Sequence, residues 1–204
     1  MTKNNYTALW ITGICIIIFI IQVISPLFTE AFKLTTSEAL VRPWTLITAI
    51  FLHGSITHLL YNMFALALFG TILEHNIGTK KFLYLFFSAG LFASIASIPF
   101  YNAVLGASGA IFGIIGALAI IKPKMVVWFY GMPMPMVLAA IFWVAIDVLG
   151  IFAPSNTANI AHISGVLVGV VFGILLRSKF IQLKKQEITM DNKSIEEWEA
   201  RYMK

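Results

Sequence analysis

Apolar residues in this chain come in runs too long for strands and without the polar stripe of a soluble amphipathic helix. Six runs stand out, at 8–24, 46–73, 82–99, 108–121, 135–151 and 159–176. Each is close to the ~20 residues that a helix needs to cross a bilayer, except the fourth, which is short. Basic residues punctuate the runs unevenly. Lys3 precedes the first, Lys80 and Lys81 follow the second, and Lys122 and Lys124 follow the fourth. Arg177, Lys179, Lys184 and Lys185 follow the sixth, whereas the alternate loops hold only Lys33 and Arg42. Short loops rich in Lys and Arg stay on the cytoplasmic side, so both termini are predicted to be cytoplasmic. The predicted fold is an all-α membrane protein, a six-transmembrane-helix bundle over 1–177 followed by a charged cytoplasmic tail over 178–204.

Composition agrees with the pattern. Hydrophobic residues make up 59% of the 204 positions and charged ones 11%, with a mean hydropathy of +0.89, which excludes an ordinary soluble domain. The net charge of +5 is no nucleic-acid signal, because the basic residues sit at the ends of apolar runs. Cys15 is the only cysteine; it has no disulfide partner in the chain and is expected to be a small buried apolar residue. The first run has the look of a signal peptide but lacks a small-residue cleavage site, so it is expected to be retained. The absence of an Arg/Ser-rich leader points to a prokaryotic plasma membrane.

The connecting segments are less regular. The first outer loop, 25–43, mixes polar and apolar residues. Segment 124–136 is apolar but broken by Gly131, Pro133 and Pro135, and is expected to lie at the membrane interface. In the tail, Ser194 and Glu197 have the spacing of a capping box for a short helix to Tyr202.

Polar residues inside spans are costly and are therefore candidates for function. Counting from the cytoplasmic ends at ~1.5 Å per residue puts Ser108 at ~20 Å, His162 at ~21 Å, Asn62 at ~17 Å and His58 at ~23 Å. In a hydrocarbon core of ~30 Å these four form one layer on three helices, a few ångströms below the outer surface. His58 and Asn62 are spaced i,i+4 and share a face. Gly109, Gly113 and Gly116 line the serine helix, and Gly165 and Gly169 share the face of His162. Such small-residue stripes let membrane helices approach at backbone distance, as a Ser–His hydrogen bond of ~2.6–3.2 Å requires. The short fourth run implies that 101–107 dips into the membrane as non-helical backbone, which is tolerated only beside protein or water. A helix beginning at Ser108 then presents free N–H groups and a positive dipole end. The chemistry this permits is acyl transfer: His162 takes the Ser108 proton, and the oxyanion is held by the Ser108 N–H with Asn62 and His58. Asp147 is the only intramembrane acid away from a helix end; it reads as a polar packing residue, and its facing is not set by the sequence. His53 reads as structural, and Glu74 and His75 as interfacial.

The constellation resembles the rhomboid family of intramembrane serine proteases. The motifs that carry the resemblance are Gly106-Ala107-Ser108-Gly109, His53-x4-His58-x3-Asn62 and Ala161-His162-x2-Gly165-x3-Gly169, within roughly 44–176. The resemblance implies a rhomboid-like bundle with Ser108 as nucleophile, His162 as general base and acid, and His58 and Asn62 as oxyanion ligands. It further implies a cleft open to outer water, closed by loop 152–158, with the fifth span as side entrance. It implies transmembrane protein substrates of a single span, cut near their outer boundary, and neither metal nor cofactor. One departure is visible: the family often carries Trp-Arg before the second span, whereas Trp44 here precedes Thr45, with Arg42 two residues earlier. No role is carried over to that arginine.

Two other readings compete. A catalytically silent rhomboid-like binder of transmembrane helices would be favoured by loss of Ser108 or His162, and both are present. A small transporter would show pseudo-symmetric broken helices and paired charges, which are missing. A zinc protease is disfavoured because the chain has no His-Glu-x-x-His.

Overall fold

The computed structural model describes residues 6–129, 131–152 and 157–203, with side chains for all of these except 178–191. Among the described residues nine α-helices dominate, with two short antiparallel strand pairs. Helices Thr7–Ile24, Ile56–Ile77 and Asn159–Arg177 are long and apolar enough to cross a membrane. Ser108–Ile121 and Met136–Ile151 are apolar but shorter.

Helix α1 (Thr7–Ile24) opens without a capping side chain of its own. Its first N–H groups lack intrahelical partners, and the Glu74 carboxylate accepts from Thr7 N–H at 3.2 Å and Ala8 N–H at 2.9 Å. Thr79 Oγ1 donates to the same carboxylate at 2.8 Å. Glu74 is buried, with its carboxylate taken up by these donors. Cys15 is buried among apolar side chains, as its place in the first run suggested.

The loop between the first and second apolar runs is more ordered than its mixed composition indicates. It contains α2 (Pro26–Phe32), β1 (Leu34–Thr35) and a 3₁₀ turn at Thr36–Glu38. Strand β1 pairs antiparallel with β2 (Ala103–Val104), Leu34 opposite Val104. Thr36 Oγ1 donates to the Tyr101 carbonyl at 2.6 Å. The Arg42 guanidinium donates to Glu38 Oε2 and the Glu30 carbonyl, each at 2.7 Å, and to the Ala31 carbonyl. The two terminal nitrogens of this planar fork thus reach three acceptors on two segments of the loop. Arg42 therefore clamps the loop despite its displacement relative to Trp44.

The second run is not one helix from residue 46. Helix α3 (Thr45–Thr48) and a 3₁₀ turn (Ala49–Phe51) precede an irregular stretch. The helix restarts as α4 (Ile56–Ala65), where Ser55 Oγ accepts the His58 N–H at 3.1 Å. A side-chain acceptor here satisfies an orphan donor of the first turn, so the span begins ten residues later than hydropathy suggested. A wider π-type turn (Leu66–Gly70) joins α4 to α5 (Thr71–Ile77).

Helix α6 (Thr79–Ser97) leads through β2 to α7 (Ser108–Ile121), whose bounds coincide with the fourth apolar run. The segment after α7, expected as an irregular interfacial stretch, is a hairpin of β3 (Val126–Phe129) and β4 (Met132–Pro135). Gly131 adopts φ 84° at the reversal, a conformation that costs glycine little. Helix α8 (Met136–Ile151) follows. Helix α9 (Asn159–Tyr202) continues unbroken through the tail, so Ser194 and Glu197 lie inside a helix rather than at the start of one.

Helix α7 is the centre of the bundle, with 11 of its 14 residues buried. A side chain on Gly165 or Gly169 would collide with the carbonyl oxygen of Gly109 or Gly113 respectively, so α7 and α9 touch backbone to backbone. In lipid the hydrophobic effect does not drive helices together, and this close van der Waals fit takes its place. Phe82, Phe86, Leu66, Leu73, Ile114 and Leu118 fill the space between α5, α6 and α7. Large apolar residues such as Trp10, Ile24, Tyr84 and Leu175 face outward, as a lipid-facing surface would require.

Candidate active site

The Gly109–Gly165 crossing delivers the first two residues of interest. Ser108 opens α7, and His162 lies one turn into α9, with Nε2 2.9 Å from Ser108 Oγ. That is within the range for proton transfer between a hydroxyl and an imidazole. Phe112, one turn along α7, stacks on the His162 ring at 4.2 Å between centroids and 7° between planes. The other ring nitrogen, Nδ1, lies 2.9 Å from Asp147 Oδ1. His162 and Asp147 are both buried.

The loop before α7 shapes the approach. Gly106 has φ 127°, a region that L side chains rarely occupy, and its N–H donates to the Ala49 carbonyl at 2.9 Å. A Cβ on Gly106 would lie 2.8 Å from His58 Nε2, so the His58 imidazole rests against the backbone just ahead of Ser108. Tyr101, from the same loop, accepts the Ile160 N–H on its phenol oxygen at 3.1 Å and so anchors the first turn of α9. At the head of α7 the first-turn N–H groups have no intrahelical acceptor and the dipole is positive.

Asn62 is buried, and its amide donates to the His58 carbonyl at 2.8 Å, back onto its own helix. The structure thus brings Ser108 and His162 into direct contact and sets His58 beside them. Asn62 lies one turn further along α4, engaged with the backbone.

His53 is held by its backbone: Gln22 Oε1 accepts its N–H at 3.0 Å and Gln22 Nε2 donates to its carbonyl at 3.2 Å. Its ring meets that of His58 edge-on at 5.2 Å, and neither ring nitrogen has a partner among the described residues. Burial first, and His58 second, push its pKa down to about 4. His53 is a neutral, enclosed imidazole, in keeping with a structural role.

Two residues at this centre escaped the sequence reading, and a third, Asp147, is singled out there only as a polar packing residue. Tyr101 and Phe112 carried no signal beyond their aromaticity. Asp147 did: it is 11 residues above Met136, the start of α8, or ~17 Å at 1.5 Å per residue, the same layer as the serine and histidine. The covering loop 152–158 falls largely outside the described residues.

The model of the Rhomboid domain family matches residues 41–179, which include every residue of this centre. The chain is similar to rhomboid protease GluP of Bacillus subtilis, 41% identical over 132 residues, covering 62% of this chain and 24% of the relative. It is similar to the putative rhomboid protease YdcA of the same organism, 31% identical over 142 residues, covering 67% and 68%. Rhomboid protein 1, mitochondrial, of Saccharomyces cerevisiae is 27% identical over 172 residues, covering 78% and 49%. The chain thus matches only a quarter of GluP's length and about half of the yeast protein's. With a family match over more than half of its residues, the chain belongs to the rhomboid family.

Proposed function

We propose that this protein is an intramembrane serine endopeptidase that cleaves single-span membrane proteins near their outer boundary. The observation that carries the proposal is the 2.9 Å approach of His162 Nε2 to Ser108 Oγ at the head of a buried helix. Neutral His162 takes the Ser108 proton on Nε2 as Oγ attacks the scissile carbonyl carbon. The oxyanion is held by the free N–H groups at the head of α7, with His58 and Asn62 as side-chain donors. For Asn62 this uses the amide hydrogen that is not bonded to the His58 carbonyl. His162 then gives its proton to the leaving amine, and the peptide is left as an ester on Ser108. Water attacks the ester, its proton passes to Nε2 and on to Oγ, and the enzyme is restored.

The same proposal takes α1, α4–α5, α6, α7, α8 and the first part of α9 as six spans, with both termini cytoplasmic and residues 178–204 as the tail. At ~1.5 Å per residue, the 14-residue α7 is ~21 Å long, which is short of a hydrocarbon core of ~30 Å. That leaves the non-helical loop before Ser108 below the outer surface, where outer water can reach the ester. A prokaryotic plasma membrane remains the proposed location.

The test is cleavage of a single-span reporter protein in liposomes containing the purified protein. The proposal expects two fragments, with the cut mapped close to the outer end of the reporter's span, and no cutting by Ser108→Ala. An uncut reporter that nevertheless co-purifies with wild type would transfer the proposal to a silent binder of transmembrane helices.

A further inference from the structure

We infer that Asp147 is a positioning residue for His162, so that the reacting centre is a chain of three groups, Ser108, His162 and Asp147, drawn from three helices. The inference rests on the protease reading above and extends it.

The argument begins with the number of protons. A neutral imidazole carries one N–H, and its partners decide where it sits. An ionised Asp147 can only accept, so its 2.9 Å contact with Nδ1 requires the hydrogen on Nδ1. Nε2 is then left with its lone pair facing Ser108 Oγ, also at 2.9 Å, which is the arrangement a general base needs. A side chain at residue 147 that can donate to Nδ1, as an asparagine amide can, or no partner at all, would let the hydrogen move to Nε2. The ring would then offer Ser108 a donor and could not take its proton.

Geometry supplies the second part. Phe112 lies nearly parallel to the ring, 7° between planes, and so holds its plane. A stacked neighbour does not distinguish the ring from its copy flipped by 180° about Cβ–Cγ. That flip would exchange Nδ1 with a carbon, and the Asp147 contact selects one of the two orientations.

The competing account is that Asp147 merely ties α8 to α9. Burying a carboxylate is costly unless it is fully paired. Asp147 is 5% exposed, and its Oδ2 has no partner among the described residues. As an interhelical tie it is half satisfied, and a packed apolar side chain would serve better. A single bond aimed at Nδ1 of the base is what positioning requires.

The test uses the 204-residue chain in detergent micelles, as wild type, Asp147→Asn and Asp147→Glu. Two readouts are taken: the ¹⁵N spectrum of ¹⁵N-histidine-labelled protein, and the rate of labelling by a fluorophosphonate. Wild-type His162 is expected in the Nδ1–H tautomer. Asp147→Asn is expected to shift it toward Nε2–H and to slow labelling by up to about 10⁴-fold, the loss that the same change causes in the Ser-His-Asp triad. Asp147→Glu, which keeps an acceptor-only partner, is expected to restore the Nδ1–H tautomer and part of the rate. Unchanged tautomer and rate in Asp147→Asn would overturn the inference. Wild type that takes no label would remove the protease reading, and the tautomer comparison would still decide whether Asp147 orients His162.

Discussion

Gly165 lies directly against the backbone carbonyl of Gly109, so the separation of α7 and α9 is set at a point one residue from Ser108 and three from His162. Every added ångström at this crossing is an ångström added near the hydrogen bond between Nε2 and Oγ. Gly165→Val is therefore expected to lower the rate of fluorophosphonate labelling by about 10²-fold or more, as a ~1 Å misplacement of reacting groups does. Gly13→Ala, whose added carbon meets nothing within 4 Å, is expected to label like wild type. Parallel labelling time courses on the two variants give the comparison.

Glu74 governs a different property. Its carboxylate holds the N–H groups of Thr7 and Ala8 and the hydroxyl of Thr79, and so joins the start of α1 to the α5–α6 corner. Glu74→Ala leaves buried donors without a partner. The expected loss is about 1–3 kcal/mol of stability, read as a lower midpoint of thermal unfolding. The site lies at the other end of the bundle, so protein that remains folded is expected to label at the wild-type rate.

His53 makes stability depend on pH. Its pKa is about 4 in the folded protein against an ordinary 6.5, so between these values the unfolded chain binds a proton that the native protein excludes. The contribution is present above pH 6.5, is lost as the pH falls toward 4, and amounts to on the order of 3 kcal/mol when complete. His53→Leu keeps an apolar volume and removes the titration. The drop in unfolding midpoint between pH 7 and pH 4.5 is expected to be smaller in His53→Leu than in wild type.

What the sequence made legible was the part written in local pattern and spacing. The bounds of α7 follow from an apolar run that starts at a serine and ends at a lysine. The meeting of Ser108 and His162 follows from glycine stripes on two helices and a shared depth. Hydropathy hid the break before α4, because Leu46–Leu52 is as apolar as the helix beyond it and the break depends on the Ser55 cap. The ordering of the first loop depends on Arg42 reaching carbonyls 11 and 12 residues away and on a strand pair 70 residues apart in sequence, Leu34 with Val104. Neither leaves a local trace. The depth of Asp147 could be counted, but the direction it faces depends on how α8 rotates against α9, which a run of nearly uniform apolar residues does not specify.

The most direct measurement is fluorophosphonate labelling of purified protein, comparing wild type with Ser108→Ala and His162→Ala and locating the adduct by peptide mass spectrometry. The account expects wild type to carry one adduct, on Ser108, and both variants to carry none. A folded wild type without an adduct, or an adduct that persists in Ser108→Ala, would contradict it.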